Sequence, residues 1–470
     1  MINLEIKPNT TYDVRSAQIF IKDKNSTLSD TVQVIQAAKG TYTGDISFET
    51  EQDLIDFQKA GYTRVIGNIT IQDNIRTLQK LDNLLQEIDG NLTIDCDNLT
   101  SLDGLYNLKK ITGNFTTRNA MITSYEGIGN LTEIGGDFEV NTGLYVLKSF
   151  EGLESLEIIG GNFKVITSPV STGFFKSLAS FKGLNGLKSI GGDFEVNAYA
   201  YSLNALESFE GLESLETIGG NFRVIGGNTS LNALSSFKGL NGLKSIGGDF
   251  EVNAEYSNSL NALESFEGLE SLETIGGDFR VIVESSPLSA LSSFKGLNGL
   301  KSIGGDFEVN AKSSNTFNSL NALESFEGLE SLETIGGNFR VIGGNTSLNA
   351  LSSFKGLNGL KSIGGDFKVI AESFSSLNSL ASFEGLESLT NIGGGRLTIN
   401  KCRSLNNIDA LKNIESLNDI SITECSKLYD FCVLKNVVQN MSGTFYVNDN
   451  GYNPTKYQLL NGECSQIPQE

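Results

Sequence analysis

The sequence predicts an all-β protein built as one parallel β-solenoid, and three observations carry that expectation. A segment of sixteen residues recurs along the chain with fixed internal spacing. Inside it, residues alternate polar and apolar directly after a Gly-Gly pair. Aligned charged positions change sign from one copy to the next.

The repeat comes first. SFEGLESLETIGGNFRV returns as SFKGLNGLKSIGGDFEV, and the Ile of each Ile-Gly-Gly falls at 134, 159, 190, 218, 246, 275, 303, 335, 363 and 392. Weaker copies precede these at Tyr42, Ile66, Ile88 and Ile111, and two degenerate copies follow near Ile420 and Met441, giving about sixteen units of 22–32 residues. A period of this size marks a solenoid or array, in which each unit buries its apolar face against its neighbours. From the Phe of each SF(E/K)GL to the next Ile is nine residues, and from that Ile to the strand Val is six, as in Phe209, Ile218 and Val224. All length variation lies between the Val and the next Phe, from 10 residues (Val140 to Phe150) to 17 (Val309 to Phe326).

Each part of the unit has a predicted conformation. A Gly pair in every unit is costly in a helix, about 1 kcal/mol per Gly. The D-F-E-V and N-F-R-V segments have the period of a strand with one face buried. The Gly-Gly is expected to make a tight positive-φ turn before that strand, and the following Asp or Asn to bond its own backbone in the turn. The L-x-x-L-x-x-I spacing suits short extended pieces around a core. Stacked units pair each strand in parallel with its counterpart one coil on, spaced by about 4.8 Å, so sixteen coils span roughly 75 Å. Right-handed coiling is the default for such crossovers.

Aligned positions become columns. Phe150 to Phe383 and Phe138 to Phe367 supply two columns that hold 18 of the 28 Phe, read as a core stack. The charge columns Glu139-Lys164-Glu195-Arg223-Glu251-Arg280-Glu308-Arg340, Glu210-Lys238-Glu267-Lys295-Glu327-Lys355-Glu384 and Glu157-Lys188-Glu216-Lys244-Glu273-Lys301-Glu333-Lys361 all alternate in sign. Opposite charges attract across neighbouring strands, so the alternation fits coils stacked in sequence order.

Composition bounds function. The chain has 470 residues, 35 Lys+Arg against 56 Asp+Glu and no His. A net charge of −21 disfavours nucleic acid and anionic membranes. The absence of His removes Ser-His and Cys-His nucleophile pairs and His-liganded zinc. No window approaches the ~18 apolar residues of a membrane helix, so membrane insertion is not expected. Asp95 and Asp97 lack the Gly and Glu of an EF-hand loop, no Walker loop occurs, and no C-x-x-C is present; no metal or cofactor is expected. The five Cys are Cys96, Cys402, Cys425, Cys432 and Cys464, four of them in the last 70 residues, where a local disulfide fits. The start, MINLEIKPNTTYDVRSAQIF, has neither a basic n-region nor an apolar h-region, so the chain stays inside or its numbering begins after a removed leader.

The ends depart from the repeat. Thr50-Glu51-Gln52-Asp53 before LIDFQKA and Gly61 reads as a capped helix over roughly 51–60. The stretch from 431 leaves the pattern after one more strand and is expected to close that end. The organisation is therefore an N-terminal segment (1–40), the repeat solenoid (41–430) and a C-terminal cap (431–470).

The units resemble bacterial leucine-rich-repeat-type surface proteins related to receptor L domains, in the L-x-x-L and I-G-G-D/N-Φ-x-Φ signature from about 41 to 430, the opening TGDISFETEQDLIDFQKAGYTRVIGNITI, and the end YDFCVLKN with GYNPTKYQLLNGEC. The resemblance implies the receptor L-domain-like solenoid fold, a location outside the cell or on its surface, and a binding or adhesion role toward a protein or glycan. It also implies that Cys432 and Cys464 are the paired cap cysteines.

The expected function is thus a non-enzymatic scaffold whose variable loops along one edge hold the contact residues. Those loops are rich in Tyr, Ser, Gly and Asn, the composition of adaptable recognition surfaces. The candidates are Phe174, Phe175, Tyr199, Tyr201, Tyr256, Phe317 and Phe374. The alternative is an architectural spacer, fibre or coat component, which the regular ladders support, and a cytoplasmic location goes with an absent leader. A glycan-cleaving β-helix enzyme would need carboxylates that break the pattern at one place, whereas the charges here follow it everywhere.

Overall fold

The computed structural model describes residues 15–22, 29–36, 40–72, 74–141, 146–167, 178–199, 202–254, 258–284, 288–312 and 318–466. Two long parallel sheets dominate it. One has sixteen strands, from Ile46–Phe48 to Phe445–Asn448; the other has fourteen shorter ones, from Thr41–Thr43 to Asn391–Ile392. Neighbours in each sheet are the same segment one repeat apart. The register is column on column: Phe194 faces Phe222, Glu195 faces Arg223 and Val196 faces Val224. A separate antiparallel hairpin, β1 (Arg15–Lys22) and β2 (Ser29–Gln36), precedes them.

The F-x-V-x strands bury alternate residues, as the polar and apolar alternation requires. Two rows of Phe rings fill the interior. Successive rings lie about 5 Å apart and mostly parallel, as in Phe250–Phe279 (5.1 Å, 3°) and Phe237–Phe266 (5.5 Å, 3°). The rows end differently at the first coils. Tyr125 occupies a Phe position, and its hydroxyl meets Thr117 Oγ1 at 2.9 Å, where the register puts Val140 on the next coil. The two substitutions answer each other, because a buried phenol needs a partner. Burial pushes the Tyr125 phenol well above its ordinary value.

Three local expectations are corrected. The Gly-Gly pairs are not positive-φ turns; within the regular repeats the positive-φ glycines are those of SF(E/K)GL, such as Gly211 (φ 108°) and Gly239 (φ 104°). The pair is required by close approach instead. A β-carbon built on Gly247 would lie 2.2 Å from the Gly219 carbonyl oxygen of the preceding coil. The Asp/Asn column does not bond its own turn either. Asn221 Oδ1 accepts the Asp249 amide at 2.7 Å, and Asp193 Oδ1 accepts the Asn221 amide at 2.7 Å and its Nδ2 at 2.9 Å. It is a ladder from coil to coil, of the kind that stabilises stacked parallel strands. The L-x-x-L stretches are tight turns rather than extended pieces, with Leu212 N–H donating to Phe209 C=O and Leu215 N–H to Leu212 C=O.

The charge columns pair across coils. Lys188, Lys244, Lys301 and Lys361 each reach the Glu of the preceding coil at 2.8–2.9 Å. The strand arginines reach the aspartate ladder as well as their column, Arg280 on Asp249 (3.2 Å) and Asp278, Arg340 on Asp306 (2.5 Å) and Glu308 (3.8 Å), and Arg223 on Asp193 (3.6 Å) and Glu251 (3.8 Å).

Helix α1 (Glu51–Ala60) starts at Thr50 in a reciprocal capping box with Asp53 and stops at Gly61 in the left-handed conformation. At the other end, α2 (Lys435–Gln439) lies between the last two strands of the long sheet, and α3 (Lys456–Leu460) follows the last one. A disulfide joins Cys432 to Cys464, whose Cα atoms are 4.8 Å apart; Cys96, Cys402 and Cys425 are free and buried. Among the described residues no helix is long and apolar enough to cross a membrane.

Candidate functional site

The variable loops leave the long sheet at the end of each strand and re-enter the core at a fixed point. That point is a Ser-Leu pair in most coils. The leucines Leu203, Leu231, Leu260, Leu288, Leu320, Leu348 and Leu377 all have positive φ, between 37° and 54°, and are buried. A left-handed conformation costs a non-glycine residue about 1–2 kcal/mol, which burial of the leucine side chain, worth about 1.5–3 kcal/mol, offsets. The preceding Ser hydroxyl closes the loop: Ser230 Oγ donates to Gly227 C=O at 2.7 Å, and Ser347 Oγ to Gly344 C=O at 2.9 Å. The following Asn forms a second ladder, with the Asn232 amide on Asn204 Oδ1 at 2.9 Å and the Asn349 amide on Asn321 Oδ1 at 2.9 Å. Sequence spacing placed the whole Val-to-Phe interval in the loop; the hydrogen bonds confine the adaptable part to the few residues before each Ser.

Of the seven candidate contact residues, Phe174, Phe175, Tyr201, Tyr256 and Phe317 lie outside the described residues. Tyr199 and Phe374 are described, and both are exposed, at 40% and 53%. They stand six coils apart along the stack, roughly 29 Å at strand spacing, so they do not form one patch. Tyr199 is tied by its backbone: its amide donates to Thr167 Oγ1 at 2.7 Å, and its carbonyl accepts the Ser202 hydroxyl.

Phe374 is the centre of a small cluster. The Arg403 guanidinium carbon lies 3.9 Å from its ring centroid and Lys401 Nζ lies 5.5 Å away, both from the next coil. Such cation–π contacts are worth about 0.5–1 kcal/mol at exposed sites. Two coils earlier Lys312 bridges to Glu372 at 2.9 Å, and that carboxylate raises the Lys312 pKa. The bridge spans the intervening coil, whose loop begins with Gly343 and Gly344. While most ladder cations carry a carboxylate partner, Lys401 and Arg403 have none within ion-pair distance among the described residues. The result is an exposed aromatic ring with two cations on an otherwise acidic chain. The sequence marked Phe374 but not its partners, since Lys401 and Arg403 belong to a degenerate repeat with no column to compare.

A second concave feature was not anticipated. A groove of about 770 Å³ runs along the short-strand sheet, floored by the Ser/Thr-Ile-Gly row of successive coils from Ser189 to Asn391.

No family model matches the chain, and no curated protein matches it either.

Proposed function

We propose that the chain is a non-enzymatic binding and adhesion scaffold, a right-handed solenoid of about sixteen coils akin to the leucine-rich-repeat-type surface proteins related to receptor L domains. Its place is the cell surface, its ligand a protein or glycan, and its contact residues sit along the variable loop edge. The observation that carries the reading is Phe374, an exposed ring held against Arg403 and Lys401 on the one edge that sequence variation spares for contact. A fixed re-entry point at every coil lets loop residues change without disturbing the core. A non-enzymatic role is supported by the charge columns, whose carboxylates follow the repeat pattern rather than breaking it at one place.

The test compares the wild-type chain with Phe374→Ala and Arg403→Ala, measuring melting temperature and adhesion to a panel of glycans and extracellular-matrix proteins. Lost adhesion at unchanged melting temperature is the expected result. A variant that melts several degrees lower and adheres as before would return Phe374 to the core and sink the reading.

A further inference from the structure

Among the described residues, the core is shut along its length and less covered at its two ends. Interior members of the Phe and Leu columns are buried. Among the described residues, the apolar side chains that touch the core yet stay half-buried all lie before residue 63 or after residue 431, with Tyr42, Ile46 and Tyr62 at one end and Phe445, Val447 and Tyr452 at the other. At the C-terminal end, strand Phe445–Asn448 is the edge of the long sheet and is paired on one side alone. At the first end a pocket of about 350 Å³ is walled by Ile46, Phe48 and Phe57, with Asp45, Asp53 and Asp56 also in its lining.

We propose that these ends are two halves of one interface. The last coil of one molecule seats the first coil of a second copy, and copies join head to tail.

The backbone supports this in detail. Within the stack, Phe138 N–H donates forward to Asn162 C=O of the next coil, and the same rule holds for Phe163 on Asp193 and Phe194 on Asn221. By that rule Phe445 and Val447 direct their N–H and C=O groups past the end of the sheet. At the first end Ile46 N–H donates inward to Asn68 C=O and Phe48 C=O accepts the Gln72 amide, which leaves Asp45 and Ser47 directed outward. Brought together, Phe445 N–H meets Asp45 C=O, Ser47 N–H meets Phe445 C=O, and Val447 N–H meets Ser47 C=O. All sixteen strands of the long sheet run the same way, so the junction repeats that sheet's step, while the short-strand sheet, which ends at Asn391–Ile392, does not continue across it. The side-chain columns continue as well: Phe445 and Val447, in register with Ile420 and Ile422, would cover Ile46 and Phe48 at the mouth of the pocket.

Charge is compatible with the pairing. Residues 40–62 carry five carboxylates and one lysine, whereas residues 425–466 carry three of each, so the acidic end meets the neutral one. Open parallel edges are templates for another strand, and a head-to-tail contact does not close, so it produces filaments of growing length.

The test uses the full chain in sedimentation velocity over a wide concentration range. A mass distribution that lengthens with concentration in steps of one chain is expected. Val447→Pro removes one outward N–H at the last coil, a position where an edge strand tolerates proline, and Ser47→Pro does so at the first. Each variant alone should sediment as a monomer with unchanged circular dichroism. Their equimolar mixture should give a dimer and nothing longer, because each retains the end the other lacks. A wild-type chain that stays monomeric throughout, a closed dimer of fixed size, or a Val447→Pro chain that assembles like wild type overturns the proposal. If Val447→Pro does not fold, wild-type growth and the Ser47→Pro block still decide it.

Discussion

Gly247→Ala separates two explanations of the Gly-Gly pair. If the pair served a left-handed turn, Asn would be tolerated better than Ala at this position, because Asn visits that region readily. The structure instead puts the added β-carbon 2.2 Å from the Gly219 oxygen and 3.0 Å from its carbonyl carbon. Real β-carbons stay beyond 3.0 Å, so the two coils must part by most of an ångström at this point. The Gly247 amide bond to Ile218 C=O and the Gly248 bond to Gly220 C=O, both 2.8 Å, would then stretch past hydrogen-bonding range. Overpacking costs about 1–3 kcal/mol, and Gly247 is exposed and Gly248 half-buried, so each lost backbone hydrogen bond adds about 0.5–1.5 kcal/mol. A loss of about 3–5 kcal/mol is expected, with Gly247→Asn at least as damaging. Urea unfolding read by linear extrapolation measures it, with Ser245→Ala on the neighbouring surface as the near-neutral control. A Gly247→Ala chain within about 0.5 kcal/mol of wild type, or an Asn variant milder than Ala, would refute the close-approach argument.

Other outcomes follow from the same geometry. Phe250→Ala empties a fully buried place between Phe222 and Phe279 and should cost about 3–5 kcal/mol by chemical denaturation. Replacing Cys432 and Cys464 by Ser removes a link across 32 residues, worth about 3–4 kcal/mol on loop entropy, while Cys402 and Cys425 should react with thiol reagents only on unfolding. For Asp306, burial pushes the carboxyl up, but hydrogen bonds from Asn338 and the charge of Arg340 outweigh it and hold it below the usual range. Its contribution is therefore complete above the unfolded value near pH 4 and lost as pH falls through the lower folded value, so acid titration of stability should be shallower in Asp306→Asn.

The parallel stack, the strand positions, the paired charge columns and α1 were legible because each repeats or carries its own local signal. Identical spacing at Phe209-Ile218-Val224 and Phe326-Ile335-Val341 leaves little freedom for anything but stacking. What was misread depends on atoms one coil away. Gly219 and Gly247 look like a turn signal within a unit, and only the neighbouring carbonyl reveals their purpose. Asp249 likewise looks like a turn residue until its partner proves to be Asn221. The left-handed leucines had no signal, since bulky residues seldom adopt that conformation. α3 did carry one, the Thr455-x-x-Gln458 capping box, which went unread beside the stronger repeat. The Phe374 cluster was half legible: an aromatic in a loop shows in sequence, but cations from the next, irregular coil do not.

The register of the long sheet has a mechanical consequence. Its strands lie across the stacking axis, so tension along that axis opens one row of hydrogen bonds at a time rather than shearing a whole strand. Each released middle coil frees 28–32 residues between successive Ile-Gly-Gly sites, as from Ile218 to Ile246 or Ile303 to Ile335, or roughly 95–110 Å of extended chain at 3.3–3.6 Å per residue. Pulled from its two ends, the protein would pay out in small, nearly equal lengths at low force, and so act as a shock absorber between whatever is attached at either end.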